Sequence, residues 1–332
     1  MTHATEHAGA TEHADATARA DTAAGVRGAA AAQGGGLQLQ HVLRPVRDGL
    51  VVAGLLFGAY TFAVIAPIAK TVGFDAYAYW SCSLASPYSV LEGQLGAFPY
   101  SPVIARLFAP FSALPWESFL VLWLGVLLGT AIWLGGWRAS GNATWRRWGW
   151  VYVLAFPPVA IELYHGNVQL LIAAAIALGF RFPAAWAFVL LTKVTPGVGL
   201  LWFAVRREWR SLGIALGVTG VVVVVSLAVD GGLWRQWIDA EVLTTLRTAP
   251  DQPQLPIPLL IRLPAAAALV TWGALTNRRW TVPAAATIAL PVLWFAGLSV
   301  LAAIPAATRP EMRSRDEAGA APSTATVAPV AA

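Results

Sequence analysis

The chain has 332 residues, 57% of them hydrophobic and only 12% charged, with 16 Trp, whereas a soluble domain carries about twice that charged fraction. Those proportions exclude an ordinary water-soluble globule and predict an integral membrane protein. The formal charge of +5 raises nucleic acid as a partner, but the arginines cluster in short stretches between apolar runs, as membrane topology requires, so no nucleic-acid role is expected.

Residues 1–40 are rich in Ala, Thr, Gly, His and Glu, and Ala4-Thr5-Glu6-His7-Ala8 is echoed at Ala10-Thr11-Glu12-His13-Ala14. Too few large apolar groups are present to fold, which predicts a disordered cytoplasmic tail. No apolar h-region follows a basic start, so no signal peptide is expected. A membrane-embedded domain over 41–308 and a second disordered tail over 309–332 complete the expected organisation.

Uncharged runs cover 49–69, 118–137, 148–161, 166–180, 182–192, 194–205, 211–229, 263–277 and 280–308. Crossing the hydrocarbon core takes about 20 apolar residues, so several runs span and others are too short. The expected fold is therefore an all-α polytopic bundle of about 8–10 membrane helices that includes short re-entrant segments.

Arg44 and Arg47 precede the first run, which puts the amino terminus inside and residues 70–116 outside. Asp75 opens this outer loop, within Gly73-Phe74-Asp75-Ala76-Tyr77-Ala78-Tyr79-Trp80. A carboxylate at the water face of a membrane protein can serve as a general base. It can equally cap the helix that begins beside it. Further along the loop, Val103, Ile104, Leu107, Phe108 and Phe111 recur near helical spacing, as in a helix lying along the membrane surface. Cys82, the only cysteine, permits no intramolecular disulfide and reads as a packing residue.

The second run returns to Arg138, Arg146 and Arg147, and the next pair goes out to Glu162-Leu163-Tyr164-His165-Gly166 and back to Arg181. Taken as one crossing, 182–205 would leave Arg206, Arg207 and Arg210 outside, against the positive-inside rule. A break at Lys193-Val194-Thr195-Pro196 removes the conflict, because proline cannot donate the helical hydrogen bond. Each half then extends about 17 Å, roughly half a membrane. The same reasoning predicts a second break near Pro291, which returns Arg309, Arg313 and Arg315 inside. Span 211–229 leads out to the acidic loop with Asp230, Asp239, Glu241 and Asp251.

Lys193 is one of two lysines in the chain and stands inside an apolar run, where an ionisable group costs a few kcal/mol unless paired or hydrated. It suits a phosphate, as a point charge, or a pair with Glu162 or another outer acid. Arg262 poses the same choice between a substrate phosphate and snorkelling to the interface. His165 reads as a surface loop residue or a catalytic group. No Walker loop, dinucleotide fingerprint or cysteine cluster occurs, and His3, His7 and His13 lie in the tail expected to be disordered, which preorganises no metal site, so neither a nucleotide cofactor nor a metal is expected.

In order, several segments resemble glycosyltransferase family 87, polytopic GT-C enzymes that include polyprenol-phosphate-mannose-dependent α-1,2-mannosyltransferases. They are Asp75-x-x-x-Tyr79, the Ser86-Pro87-Tyr88 and Phe98-x-Tyr100-x-Pro102 of the outer loop, and Gly166-Asn167-Val168-Gln169. Lys193-x-Thr195-Pro196 followed by Arg206-Arg207-Glu208-Trp209-Arg210, and Asp251-Gln252-Pro253-Gln254-Leu255 leading to Arg262, complete the set. Two departures stand out. The family's Gly-Gln-Val-Asn has its amides exchanged, and no histidine follows Trp294, where Phe295 and Ala296 stand instead.

The resemblance implies a hexosyltransferase at the outer face of the plasma membrane, using a polyprenyl-phosphate-linked mannose donor and a lipid or glycan acceptor, with inversion. It implies Asp75 as general base, Lys193 and Arg262 at the donor phosphate, and Tyr79, Tyr100, Asn167, Gln169 and Thr195 as substrate-binding residues. A transporter or lipid flippase is the alternative, with Lys193 and Glu162 lining a pathway. The roughly 47-residue outer loop favours the enzyme. A non-catalytic scaffold is the third reading, favoured by the missing histidine.

Overall fold

A computed structural model describes residues 44–91, 93–136, 143–242 and 257–309. The Asp251 to Leu255 motif, Arg138, Arg313, Arg315 and the segment 1–40 lie outside the described residues. From Gly54 onward the chain packs as one unit, and residues 44–53 contribute the first turns of the first helix. No strand occurs among the described residues, so the chain is all-α as expected.

Among the described residues three helices are long and apolar enough to cross a bilayer: α1 (Arg44–Ala69), α4 (Trp116–Gly135) and α10 (Trp209–Val229). They match the uncharged runs 49–69, 118–137 and 211–229 to within a few residues, because apolar length is a local property of the chain. On α10, Val221, Val224 and Val225 are 64%, 65% and 57% exposed. Such a valine face is unfavourable in water and natural against lipid. The chain is a polytopic membrane protein.

Between the first two spans lie α2 (Phe74–Trp80) and α3 (Pro102–Phe108), the latter prolonged by a 3-10 turn, Ala109–Ala113. Pro102 opens α3, where the missing N–H costs nothing. Ile104 and Phe108 are buried while Leu107 and Phe111 are exposed, so the expected apolar stripe is divided between the core and the surface. Around Tyr79 the loop closes an aromatic core. Tyr79 stacks on Phe108 with ring centres 4.7 Å apart and meets Phe98, Tyr100 and Trp123 between 5.3 and 6.4 Å. Each such pair contributes about 0.5–1.5 kcal/mol beyond area burial.

After α5 (Ala143–Leu154), α6 (Pro157–His165) and α7 (Gln169–Gly179) form a broken pair bent by 118°. Gly166 makes the bend with φ of +71°, and a Cβ there would stand 2.8 Å from that of Ala76. Glycine therefore serves both the turn and the contact.

The expected break at Lys193 is present. Helix α8 (Trp186–Thr192) ends on Lys193 in extended conformation, and a 3-10 turn, Thr195–Leu200, leads into α9 (Leu201–Val205). The second expected break is present as well: α13 (Thr281–Ile288) stops before Pro291, and a 3-10 segment, Phe295–Ala302, leads into α14 (Ala303–Ala307). Helix α11 (Gly231–Trp237) is capped by Asp230, whose Oδ1 accepts from the amides of Gly232 and Leu233. Helix α12 (Leu259–Leu275) packs on α13 at Gly273, where any Cβ would collide with Thr281.

Candidate functional site

The first span ends at Lys70, and the chain turns through Gly73 (φ +76°) into α2. The Gly73 amide donates to Tyr164 O at 2.8 Å, and the Thr71 and Tyr164 hydroxyls meet at 2.7 Å. These contacts pin the start of α2 to the end of α6. Gly73 itself is the N-cap of α2, so Asp75 sits one position inside the first turn and its carboxylate is not the cap. Instead, Asp75 Oδ2 accepts from Asn167 Nδ2 at 2.8 Å.

Asn167 follows the glycine bend, and its orientation is fixed by chemistry. The carboxylate can only accept and the Val168 amide, 2.7 Å from Asn167 Oδ1, can only donate. Oδ1 also accepts from the Tyr79 and Tyr100 hydroxyls at 3.3 and 3.4 Å, and those hydroxyls lie 2.9 Å apart. Burial pushes the Tyr79 phenol well up, with Tyr100 and Asp75 acting in the same direction, so it stays a donor. Trp123 Nε1 donates to Gly166 O at 2.6 Å and holds the bend from the α4 side.

Asp75 is half-buried. Desolvation raises its pKa above the usual carboxylate range. The Asn167 hydrogen bond and the charges of His165 and Lys193 pull it back down. Lys193, distant in sequence, thus acts on the Asp75 carboxylate, as does His165 from the end of α6.

At the two breaks, Thr195 Oγ1 donates to Ala289 O at 2.5 Å. Arg262 is 7% exposed and donates to Ile257 O at 2.8 Å, Ile288 O at 2.7 Å, Leu290 O at 2.8 Å and Pro291 O at 3.0 Å. Both side chains therefore fasten the turn after α13, and the break at Lys193 and the break at Pro291 meet in space. Beyond that turn Trp294 is 43% and Phe295 52% exposed.

The model of glycosyltransferase family 87 matches residues 98–331, more than half of the chain. The chain belongs to glycosyltransferase family 87. No curated protein and no solved structure matches it. The family 87 match includes Tyr100, Asn167, Gln169, Lys193, Thr195 and Arg262, and begins after Asp75 and Tyr79. The hydrogen bonds from Asn167 to Asp75 and from Tyr79 to Asn167 join those two earlier residues to the matched region.

In this family 87 glycosyltransferase, then, Asp75, Tyr79, Tyr100 and Asn167 form one hydrogen-bonded group, with Lys193 and His165 acting on it electrostatically. Thr195 and Arg262 form a second group on the 288–291 turn. Gln169 is 2% exposed, and a Cβ at Gly297 would stand 3.7 Å from its Nε2, which places the amide beneath the Phe295–Ala302 segment.

One structural role escapes sequence reasoning. Glu162 is completely buried, and its Oε1 accepts from the Gln169 and Leu170 amides at 2.6 and 3.3 Å. It caps α7 from across the bend, in place of an adjacent N-cap side chain. Its Oε2 has no partner among the described residues. Among the described residues no His, Cys, Asp and Glu group could hold a metal. Burial pushes the Cys82 thiol up to about 12, as befits a packing residue.

Proposed function

We propose that this glycosyltransferase moves a hexose, mannose, from a polyprenyl-phosphate donor to a hydroxyl of a lipid or glycan acceptor at the outer face of the plasma membrane, inverting the anomeric carbon. Asp75 is the general base. The observation that carries the reading is the Asp75 carboxylate: one oxygen is held by Asn167, burial raises its proton affinity, and His165 and Lys193 favour its ionised form. A base whose pKa is lifted toward the working pH takes a proton more effectively.

In the reaction the acceptor hydroxyl gives its proton to Asp75 Oδ1, the oxygen that Asn167 does not engage. The alkoxide oxygen forms the new bond to the anomeric carbon, the bond from that carbon to the phosphate oxygen breaks, and the electron pair leaves on the lipid phosphate. Phosphate departs without a general acid. Lys193 stabilises its growing negative charge, and Arg262 adds its charge and the one N–H of five that the carbonyls leave. Asn167 and Thr195, both half-buried, reach the bound substrate. Tyr79, Tyr100 and Gln169 are buried and act by holding Asn167 and its helix.

The test is transfer from radiolabelled polyprenyl-phosphate mannose to membrane acceptors, comparing wild type with Asp75→Asn in one lipid. Transfer by wild type alone supports the reading. Donor movement across the bilayer without sugar transfer would replace it with the transporter. Sidedness is tested with a membrane-impermeant thiol reagent: a cysteine at Thr195 should label from outside and one at Arg207 only from inside.

A further inference from the structure

Three turns meet at one end of the molecule: 180–182 after α7, 206–208 between α9 and α10, and 276–280 between α12 and α13. Arg206 ties the second turn to the third, donating through Nη1 to Ala274 O and Asn277 Oδ1, both at 3.3 Å. Arg279 ties the third to the first, its guanidinium 5.3 Å from the centre of the Phe180 ring. Arg207 and Arg278 are each next in sequence to a partner in the Arg206–Asn277 bond, so they are held close together, and both are exposed.

With Arg181 and Arg210, six arginines stand on these turns and the first turn of α10. One acid stands among them, Glu208, and Arg206 Nε engages it at 2.9 Å. From Trp209 to Val229, α10 extends about 30 Å. Asp230, at its far end, pairs with Arg106 of the loop that carries Asp75. The basic turns therefore lie at the leaflet opposite the Asp75 group.

Orientation in the membrane calls for positive charge near span ends, but not for the meeting of three separate turns. Arg207 moreover has φ of +59°, a left-handed conformation that strains an arginine and not a glycine. Trp209, Trp272, Trp280 and Leu275 are exposed on the same turns and the helix ends beside them. Trp272 and Trp280 meet edge to face at 6.1 Å, and the Arg278 guanidinium lies 5.3 Å from the centre of the Trp272 ring. Guanidinium groups engage phosphate oxygens, indole rings settle at headgroup depth, and Leu275 suits an acyl chain. A free phosphate would use the charges and leave the apolar groups in contact with nothing.

We infer that these turns bind the headgroup of an anionic phospholipid in the leaflet opposite Asp75. The excess of arginine favours an anionic headgroup over a zwitterionic one.

The experiment titrates the purified full chain in detergent with phosphatidylglycerol or phosphatidylcholine and counts bound lipid by native mass spectrometry. Wild type is compared with Arg207→Gly, Arg278→Gln, the double variant, and Arg235→Gln, an exposed arginine on α11 at the other end of α10. Both ends are accessible in detergent, so orientation in a membrane does not enter. Arg207→Gly relieves the left-handed strain, and its lipid-free Tm should equal or exceed that of wild type. Wild type should bind phosphatidylglycerol about 10-fold or more tightly than phosphatidylcholine. Each single variant should lose about 5-fold of the phosphatidylglycerol affinity and the double variant about 25-fold, with Arg235→Gln unchanged. Equal affinity of wild type for the two lipids, or variants that bind as wild type does, would overturn the inference. So would a loss in Arg235→Gln as large as in Arg207→Gly, which would mean diffuse charge, or displacement of the lipid by millimolar inorganic phosphate at matched ionic strength, which would mean a soluble anion. No sugar transfer is measured, so the catalytic reading stands or falls separately.

Discussion

Asn167 Nδ2 donates to Asp75 Oδ2 at 2.8 Å, joining the first turn of α2 to the bend between α6 and α7 across 92 positions of sequence. The bond orients the carboxylate and leaves its second oxygen for chemistry. Under the proposed mechanism the two residues have separable roles, Asp75 taking the proton and Asn167 lowering its affinity for it.

Asp75→Asn should abolish transfer yet leave the protein at least as stable as wild type near neutral pH. The folded pKa of Asp75 is raised by burial, so between the unfolded and folded values the native state binds more protons and wild-type stability falls as pH rises. Asparagine removes that cost of ionisation and still accepts from Asn167. Thermal unfolding in detergent from pH 4 to pH 8 should show wild type losing stability relative to the variant as pH rises. A large destabilisation of the variant at pH 7 would mean that Asp75 is structural.

Loss of the Asn167 bond should move the acid limb of the pH profile. That bond lowers the Asp75 pKa, so Asn167→Ala should shift the limb of kcat/KM to higher pH. A hydrogen bond to a charged group contributes about 1.5–3 kcal/mol, so kcat/KM at neutral pH should drop by about 10- to 100-fold. An unshifted limb with lower activity would assign Asn167 to substrate binding alone.

Replacing Glu162 with alanine strips the Gln169 and Leu170 amides of their buried acceptor. The expected loss is about 1–3 kcal/mol of stability, with activity falling as the bend that carries Asn167 loosens. Glu162→Gln keeps a carbonyl oxygen for the same amides and should recover most of both. Chemical denaturation of the two variants beside wild type checks the order.

Arg262→Lys is expected to be a severe substitution. Arginine reaches four carbonyls through a planar fork, and lysine, with three donors on one nitrogen, cannot reproduce that geometry. Stability should fall by about 3 kcal/mol or more, since hydrogen bonds to a charged group are lost in a buried place. Donor KM measured in the surviving folded fraction separates the roles: unchanged KM assigns Arg262 to the 288–291 turn, and a raised KM assigns it to the donor phosphate as well.

The three long spans, and the proline-marked breaks at Lys193 and Pro291, were legible because apolar length, proline and arginine placement act within a few residues of where they are written. The all-α membrane architecture followed from them. Asp75 was legible as a candidate but not as to role, since cap and base require the same residue type at the same place. The Gly73 cap and the long-range bond from Asn167 show that its carboxylate does not cap α2. Arg262 was visible as an anomalous charge, but its partners are main-chain carbonyls, which carry no sequence signal. Glu162 caps amides seven and eight residues downstream across a 118° bend, outside the spacing that marks a local cap. The sequence by itself thus determined where the chain can enter lipid and where it must break, because those choices turn on local transfer free energy. The tertiary structure decided which carboxylate caps a helix and which accepts from a distant side chain, because hydrogen-bond partners and desolvation depend on what distant segments bring against each side chain.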